Sequence, residues 1–217
     1  MAKIITKVQG KFLKLFSKST LAKQFYFSGG TALSYFYLNH RYSEDLDFFS
    51  EEEFDSVQIS VFLKSIKKEI GYISFDYQQS FNRNIYHLLF KNSSLKVEFT
   101  YYPFAQVQKP KKIGGILVDS LIDIATNKLF TISQNARGRD YFDLYYINQK
   151  EKVSLEELQK LAKIKFDWHI DPLHLGTQLN RAQEFIDDPI LSKTVSKDKL
   201  VKFFKKEASK LGKEIVR

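Results

Sequence analysis

A chain of 217 residues, 43% hydrophobic and 15% aromatic, is long enough for one large domain or two small ones with a real core. It has no cysteine, which excludes disulfides, thiolate metal sites and a cysteine nucleophile, and is compatible with a reducing cytosol. A net charge of +9 with a pI of about 9.4 favours polyanionic partners, namely nucleic acid, nucleotides or an acidic protein, although solvated lysine-rich helices would give the same balance.

Taken in chain order, residues 4–17 read as an amphipathic helix, with apolar positions at Ile4, Ile5, Val8, Phe12, Leu15 and Phe16. Lysines interrupt this start, so it lacks the continuous apolar stretch of a secretory leader, and no apolar run approaches the ~20 residues that span a bilayer. A soluble, cytoplasmic protein with no membrane partner is therefore expected. Residues 25–27 form a short aromatic strand that leads through Ser28-Gly29-Gly30 into a helix over 32–38. A strand follows at 46–49, then a helix over 56–70 that stops at Gly71. Three strands are predicted at 72–78, 85–90 and 95–101, with turns at Asn82-Arg83-Asn84 and Asn92-Ser93-Ser94. The polar stretch 106–112, with Pro110, is the best linker candidate, and a short strand follows at 116–118. From Asp119 on the pattern is helical, over 120–133, 140–149, 155–166, 173–185 and 197–211, with breaks at Asp171-Pro172 and Asp188-Pro189. The chain thus divides into an α/β half, 1–112, and an all-helical half, 113–217, with a cleft expected between them.

Chemistry concentrates in Gly29-Gly30-Thr31 and, a short helix later, Asp45-Leu46-Asp47. Paired glycines let backbone N–H groups approach phosphate oxygens, and a helix N-terminus favours an anion. On a strand, a period of two puts both carboxylates on one face, where a divalent cation relieves their repulsion. Alone, such an acidic pair commonly means a half-exposed strand edge. Glu98 alternates with Val97 and Phe99 on a later strand; a sheet that aligns it with Asp45 and Asp47 would give three carboxylates around one or two metal ions, with Glu98 as general base, whereas its ordinary meaning is a solvated face shared with Lys96 and Thr100. Lys128 shares a helix face with Leu121 and Ala125; an inward lysine needs an anion, which a triphosphate would supply, unless it snorkels to the helix edge. Asp140 and Asp143 either cap a helix and pair with Arg137 or Arg139, or Asp140 orients Lys128 or Arg139. The histidines His40, His87, His169 and His174 lack metal-ligand spacing and read as structural or surface. Lys109, Lys111, Lys112 and the lysines between Lys197 and Lys213 could track an RNA backbone or form a solvated face.

The run FSGGTALSYFYLNHRYSEDLDFF resembles the nucleotidyltransferase-fold toxins of the AbiEii/AbiGii abortive-infection group. The resemblance continues through Arg41 to Phe49, Lys128, and Arg139-Asp140-Tyr141-Phe142-Asp143-Leu144-Tyr145, and so spans residues 25–147. It implies an α+β fold: a polymerase-β-like mixed sheet with flanking helices, and a helical C-terminal domain that contributes to the nucleotide cleft. It implies transfer of a nucleotidyl group from a nucleoside triphosphate with Mg²⁺, most simply to an RNA (tRNA) 3′ end, and a cognate antitoxin. By that resemblance Asp45, Asp47 and Glu98 bind metal and, with Lys128, form the catalytic set. Ser28, Gly29, Gly30, Thr31, Lys128 and Asp140 hold the nucleotide. Arg41 contacts phosphate or acceptor RNA, and Ser43 contacts phosphate or holds the turn. Glu98 departs from the Asp of many nucleotidyltransferases. The competing readings are a catalytically idle module that binds RNA or an antitoxin, and a small-molecule nucleotidyltransferase of the antibiotic-modifying kind.

Overall fold

A computed structural model describes residues 4–185 and 195–215 of the chain, and the side chains of residues 4–184 and 195–211. The described residues fall into two compact units. The first comprises residues up to Tyr37, Ser43–Ala105 and Lys109–Ser120; the second comprises Leu38–Tyr42, Gln106–Gln108 and everything from Leu121. The expected break at Asp188-Pro189 lies outside the described residues.

The first unit is a mixed sheet with helices on its apolar face. Its strands are β1 (Tyr26–Ser28), β2 (Leu46–Ser50), β3 (Ser74–Ser80), β4 (Arg83–Leu89), β5 (Ser94–Tyr101), β6 (Lys111–Ile113) and β7 (Ile116–Val118), in the order β3-β4-β5-β2-β1-β7-β6. The β2–β5 and β1–β7 pairs are parallel and the rest antiparallel. Alternation decides which face is buried: Leu46, Phe48, Val97 and Phe99 point into the core, so Asp47 and Glu98 point the other way. Helices α1 (Lys7–Phe16) and α3 (Ser56–Ile70) cover the apolar side with Phe12, Phe16, Ile59 and Phe62. Phe48 stacks on Phe99 with ring centroids 5.0 Å apart, and Phe16 lies 4.2 Å from Phe48. Burying each such ring contributes roughly 1.5–3 kcal/mol. Asp55 caps α3 by accepting from Val57 N, and Gly71 ends it at φ 85°, where a residue with a Cβ would be strained.

Helix α2 begins at Gly29 itself rather than at Ala32. Its first turn is Gly29–Ala32, and it widens without a break into a π-helical stretch, Leu33–Leu38. The sequence shows no proline or polar break that would mark this widening; such turns are frequent at functional sites.

The second unit is helical: α4 (Leu121–Asn135), α5 (Gly138–Glu151), α6 (Leu155–Phe166), α7 (Pro172–Asn180) with a 3₁₀ turn at Arg181–Phe185, and α8 (Lys197–Ile215). Leu129, Ile132, Leu144, Leu158, Leu175 and Phe204 form its core. Asp171 caps α7 by accepting from His174 N at 2.7 Å, with Pro172 in the first turn, where its missing N–H costs nothing. The stretch expected to be a linker is tied down. Val107 N and Gln108 N donate to the buried Asp123 carboxylate at 2.8 and 2.9 Å, and Lys111–Ile113 forms strand β6. A buried carboxylate needs such donors, and Lys165 Nζ also lies 2.7 Å from it. None of the helices among the described residues is long and apolar enough to cross a membrane.

Candidate active site

On the acid face, the glycine turn and the acidic pair form one piece. Strand register sets Ser28 opposite Asp47. Gly29, at φ 72°, lies so close to Asp47 that a Cβ on it would fall 2.4 Å from Asp47 Oδ2. Only glycine permits both that backbone conformation and that approach. Asp45 sits just before β2. The Thr31 hydroxyl bonds the Asp45 carbonyl oxygen and shares a 2.7 Å hydrogen bond with the Ser43 hydroxyl. Thr31 is buried, as is Ser28, whose hydroxyl donates to Asp119 Oδ2 at 2.7 Å. Both hydroxyls therefore hold the turn, and what the turn can offer a phosphate is its backbone. The stretch before the acids is also held from outside the motif. Gln9 Nε2 donates to the carbonyls of Ser43 and Glu44 at 3.0 and 2.9 Å, while Gln9 and Thr6 cap α1 reciprocally.

Glu98 lies beside this pair. The parallel β2–β5 register matches Asp47 with Glu98, and neighbouring strands run about 4.8 Å apart. Two cations come with it. Arg83, on β4, grips Glu98 through two bonds, Nε to Oε1 at 2.6 Å and Nη2 to Oε2 at 2.7 Å. Lys96 Nζ stands 3.1 Å from Asp45 Oδ2 and 3.4 Å from Glu98 Oε2. Burial alone would push the Glu98 carboxyl up, but the hydrogen bonds and charge of Arg83, then Lys96, outweigh it and hold the group below the usual carboxylate range. Hard oxygen donors at Asp45 and Asp47, with the backbone of Gly29 packed against Asp47, suit a small divalent cation. Among the described residues no three carboxylate or imidazole groups are arranged to hold a metal together, and the oxygens of Glu98 face Arg83 and Lys96.

The remaining sequence candidates gather in the second unit. Lys128 Nζ lies 2.7 Å from Asp140 Oδ1 and 2.8 Å from Asp143 Oδ2. Arg41 donates to Asp143 through Nε at 2.6 Å and Nη2 at 2.9 Å, His40 Nε2 is 2.7 Å from Asp143 Oδ1, and Arg137 Nε is 2.9 Å from Asp140 Oδ2. The anions that the inward lysine needs are thus Asp140 and Asp143. Burial would raise the carboxyl of Asp143, but Lys128 and Arg41 carry it well below its usual range; Asp140 is lowered in the same way by Lys128 and Arg137. Burial lowers the His40 imidazole, and its bond to Asp143 only partly offsets this. Arg139 is half-buried and makes no ion pair among the described residues. Of the other histidines, His174 bonds the Ser133 carbonyl at 2.7 Å, His87 is half-buried and His169 exposed.

The structure thus unites Gly29, Thr31, Ser43, Asp45, Asp47 and Glu98 in one unit, and Arg41, Lys128, Asp140 and Asp143 in the other. His40 is structural, as its sequence context implies, whereas the roles of Gln9, Arg83 and Lys96 emerge only in the fold. The alternation of Lys96 and Glu98 was the visible signal for Lys96; Arg83 needed the β4–β5 register, which pairs it with Thr100.

A mixed sheet with this turn and acidic pair is a nucleotidyltransferase fold. The comparisons narrow the class. Residues 11–211 match the family described as "Nucleotidyl transferase AbiEii toxin, Type IV TA system", and the chain belongs to that family. It is similar to an uncharacterized protein of Aquifex aeolicus (strain VF5), 32% identical over 166 residues that make up 75% of this chain and 76% of that one. Among solved structures it resembles JHP933 from Helicobacter pylori, with a TM-score of 0.59 and 18% identity over 96% of this chain and 90% of that one. A second H. pylori structure, described as a candidate nucleotidyltransferase, has a TM-score of 0.58 and 19% identity, covering 96% and 93% of the two chains. At these identities the two structures speak for the fold alone. Membership of a Type IV toxin–antitoxin family brings with it a nucleotide substrate and an antitoxin partner.

Proposed function

We propose that this toxin transfers a nucleotidyl group from a nucleoside triphosphate to the 3′ end of an RNA, tRNA being the expected acceptor, with Mg²⁺ held by Asp45 and Asp47. It would act in the cytoplasm as the toxic arm of an abortive-infection system. The observation that carries this reading is the packing of Gly29 against Asp47, which leaves no room for a Cβ. A turn that had only to reverse the chain would not need its backbone pressed against a carboxylate.

A bound Mg²⁺ would supply charge neutralisation at the phosphates. The backbone N–H groups of Gly29 and Gly30 would cradle phosphate oxygens, and Ser28, Thr31 and Ser43 would keep that backbone in place through the bonds described. The acceptor hydroxyl would attack the α-phosphorus in line. One P–O bond forms, the bond to the bridging oxygen of the β-phosphate breaks, and pyrophosphate leaves. Glu98, held below the usual carboxylate range, is poorly matched to take the hydroxyl proton, which is assigned to solvent. Lys128, Asp140 and Arg41 enter through the family resemblance. With Asp140 and Asp143 already beside it, Lys128 would act on the nucleotide as a neutralised, rigidly held group.

The test is incubation with each α-³²P-labelled triphosphate in turn, Mg²⁺ and total cellular RNA. Label is expected in a discrete RNA species from one or two of the triphosphates. Label in no RNA with any triphosphate, from a folded preparation, would overturn the reading.

A further inference from the structure

We infer that Lys96 stands as a fixed cation where a second metal ion would otherwise sit, so that the site takes a single divalent ion, at Asp45 and Asp47. The inference rests on the nucleotidyl-transfer reading above and specifies how the charge at that site is balanced.

The lone pairs of Glu98 are almost all engaged. An ionised carboxylate offers about four acceptor positions, two on each oxygen. On Glu98, Oε1 receives Arg83 Nε at 2.6 Å and the Thr100 hydroxyl at 3.0 Å. Oε2 receives Arg83 Nη2 at 2.7 Å and faces Lys96 Nζ at 3.4 Å. Three of the four positions receive hydrogen bonds, and the fourth faces the Lys96 ammonium. A metal ion could be ligated by Glu98 only after one of these groups had left, and the fork of Arg83, matched to both oxygens, is the hardest to displace.

Placement points the same way. Paired ions in two-metal sites lie about 3.5–4 Å apart and share carboxylate ligands. Between Asp45 Oδ2 and Glu98 Oε2, the place such a bridging ion would take, stands the ammonium of Lys96, 3.1 Å from the first oxygen and 3.4 Å from the second. Three carboxylates meet two fixed cations here. Lys96 is anchored on β5, the strand that carries Glu98, so its cation comes with the fold.

Mn²⁺ titration followed by electron paramagnetic resonance, with a non-hydrolysable α,β-methylene triphosphate present, tests this without reading activity. The wild type is expected to bind about one ion per chain with the resolved six-line spectrum of an isolated Mn²⁺. Lys96→Gln, which keeps the length of the side chain nearly unchanged and removes its charge, is expected to admit a second ion and to show the broad spectrum of a coupled pair. Lys96→Arg should restore the single ion. Thermal melting establishes that each variant is folded, and the wild-type count decides independently of the variants. Two coupled ions in the wild type, or an unchanged single ion in a folded Lys96→Gln protein, would overturn the inference and leave nucleotidyl transfer standing. No Mn²⁺ bound by the wild type would overturn the metal assignment at Asp45 and Asp47, and this inference with it.

Discussion

The two charged clusters are built from the same residue types and differ in their access to water. In the helical unit, Asp140 and Asp143 have side chains 0% exposed, and Lys128 and Arg41 are nearly as enclosed. On the sheet, Asp45 and Lys96 keep 30% and 26% of their side-chain surface, and Arg83 keeps 49%. Arg137, 50% exposed, is the rim of the helical network; its carboxylates are enclosed, so removing a partner there strands a charge, whereas Asp45 on the sheet keeps surface on which a ligand can be added. The difference separates carboxylates held for the structure of the helical unit from a carboxylate, Asp45, that keeps water-facing surface, although both sets stand out equally in the sequence.

The comparison can be broken first at its enclosed end. Asp143→Ala removes the carboxylate shared by Arg41, Lys128 and His40 and should cost about 3–5 kcal/mol. Urea unfolding followed by the fluorescence of the single tryptophan, Trp168, reads this in the unit concerned. A loss below about 1 kcal/mol would mean that the network is not structural. Acid should act in the same direction. His40, Asp140 and Asp143 all bind their protons less readily folded than unfolded. The unfolded chain therefore takes up more protons as pH falls, and stability declines. Stability from His40 is whole above its unfolded value of 6.5 and is lost below it; that from the aspartates is lost as pH falls past 3.8 toward their lower folded values. Urea midpoints at pH 8, 6 and 4 should decrease in that order.

Gly29→Ala comes next. A positive φ and a Cβ placed 2.4 Å from Asp47 Oδ2 together should cost roughly 1–3 kcal/mol and displace the carboxylate. Label transfer should fall further than stability does. Gln9→Ala removes two hydrogen bonds to the carbonyls ahead of Asp45 and should cost about 1–2 kcal/mol. Its effect on transfer should appear in kcat more than in KM, since Gln9 touches the backbone ahead of the acids and not the substrate. The smallest stability effect belongs to the acids themselves: Asp45→Asn, on a half-exposed side chain, should leave the urea midpoint within about 0.5 kcal/mol of wild type.

Much of this was legible in the sequence where period and spacing decide. Alternation through Leu46-Asp47-Phe48 and Val97-Glu98-Phe99 sets both acids on the face opposite the core, and Gly71 and Asp171-Pro172 mark helix ends through backbone constraints that act locally. What depends on long-range register was not. Arg83 read as part of a turn, yet β4 begins there, and its pairing brings Arg83 across from Thr100 and within reach of Glu98. Gln9 lies 34 residues from Ser43, and its bond to that carbonyl depends on how α1 lies on the sheet. The sequence marks Lys128 as an inward or snorkelling lysine, and only the approach of Asp140 and Asp143 from another helix supplies its anions. The stretch 106–112 reads as a linker by composition, because the donors that Asp123 requires are backbone groups, which composition does not register.

The most direct test of the central claim is label transfer to RNA by a protein carrying both Asp45→Asn and Asp47→Asn, measured on material shown by its urea midpoint to be folded. Loss of about 10²–10³-fold or more is expected, the scale on which a single charge-stabilising group acts in catalysis. Wild-type transfer from the folded double variant would contradict the assignment of the sheet acids as the working site.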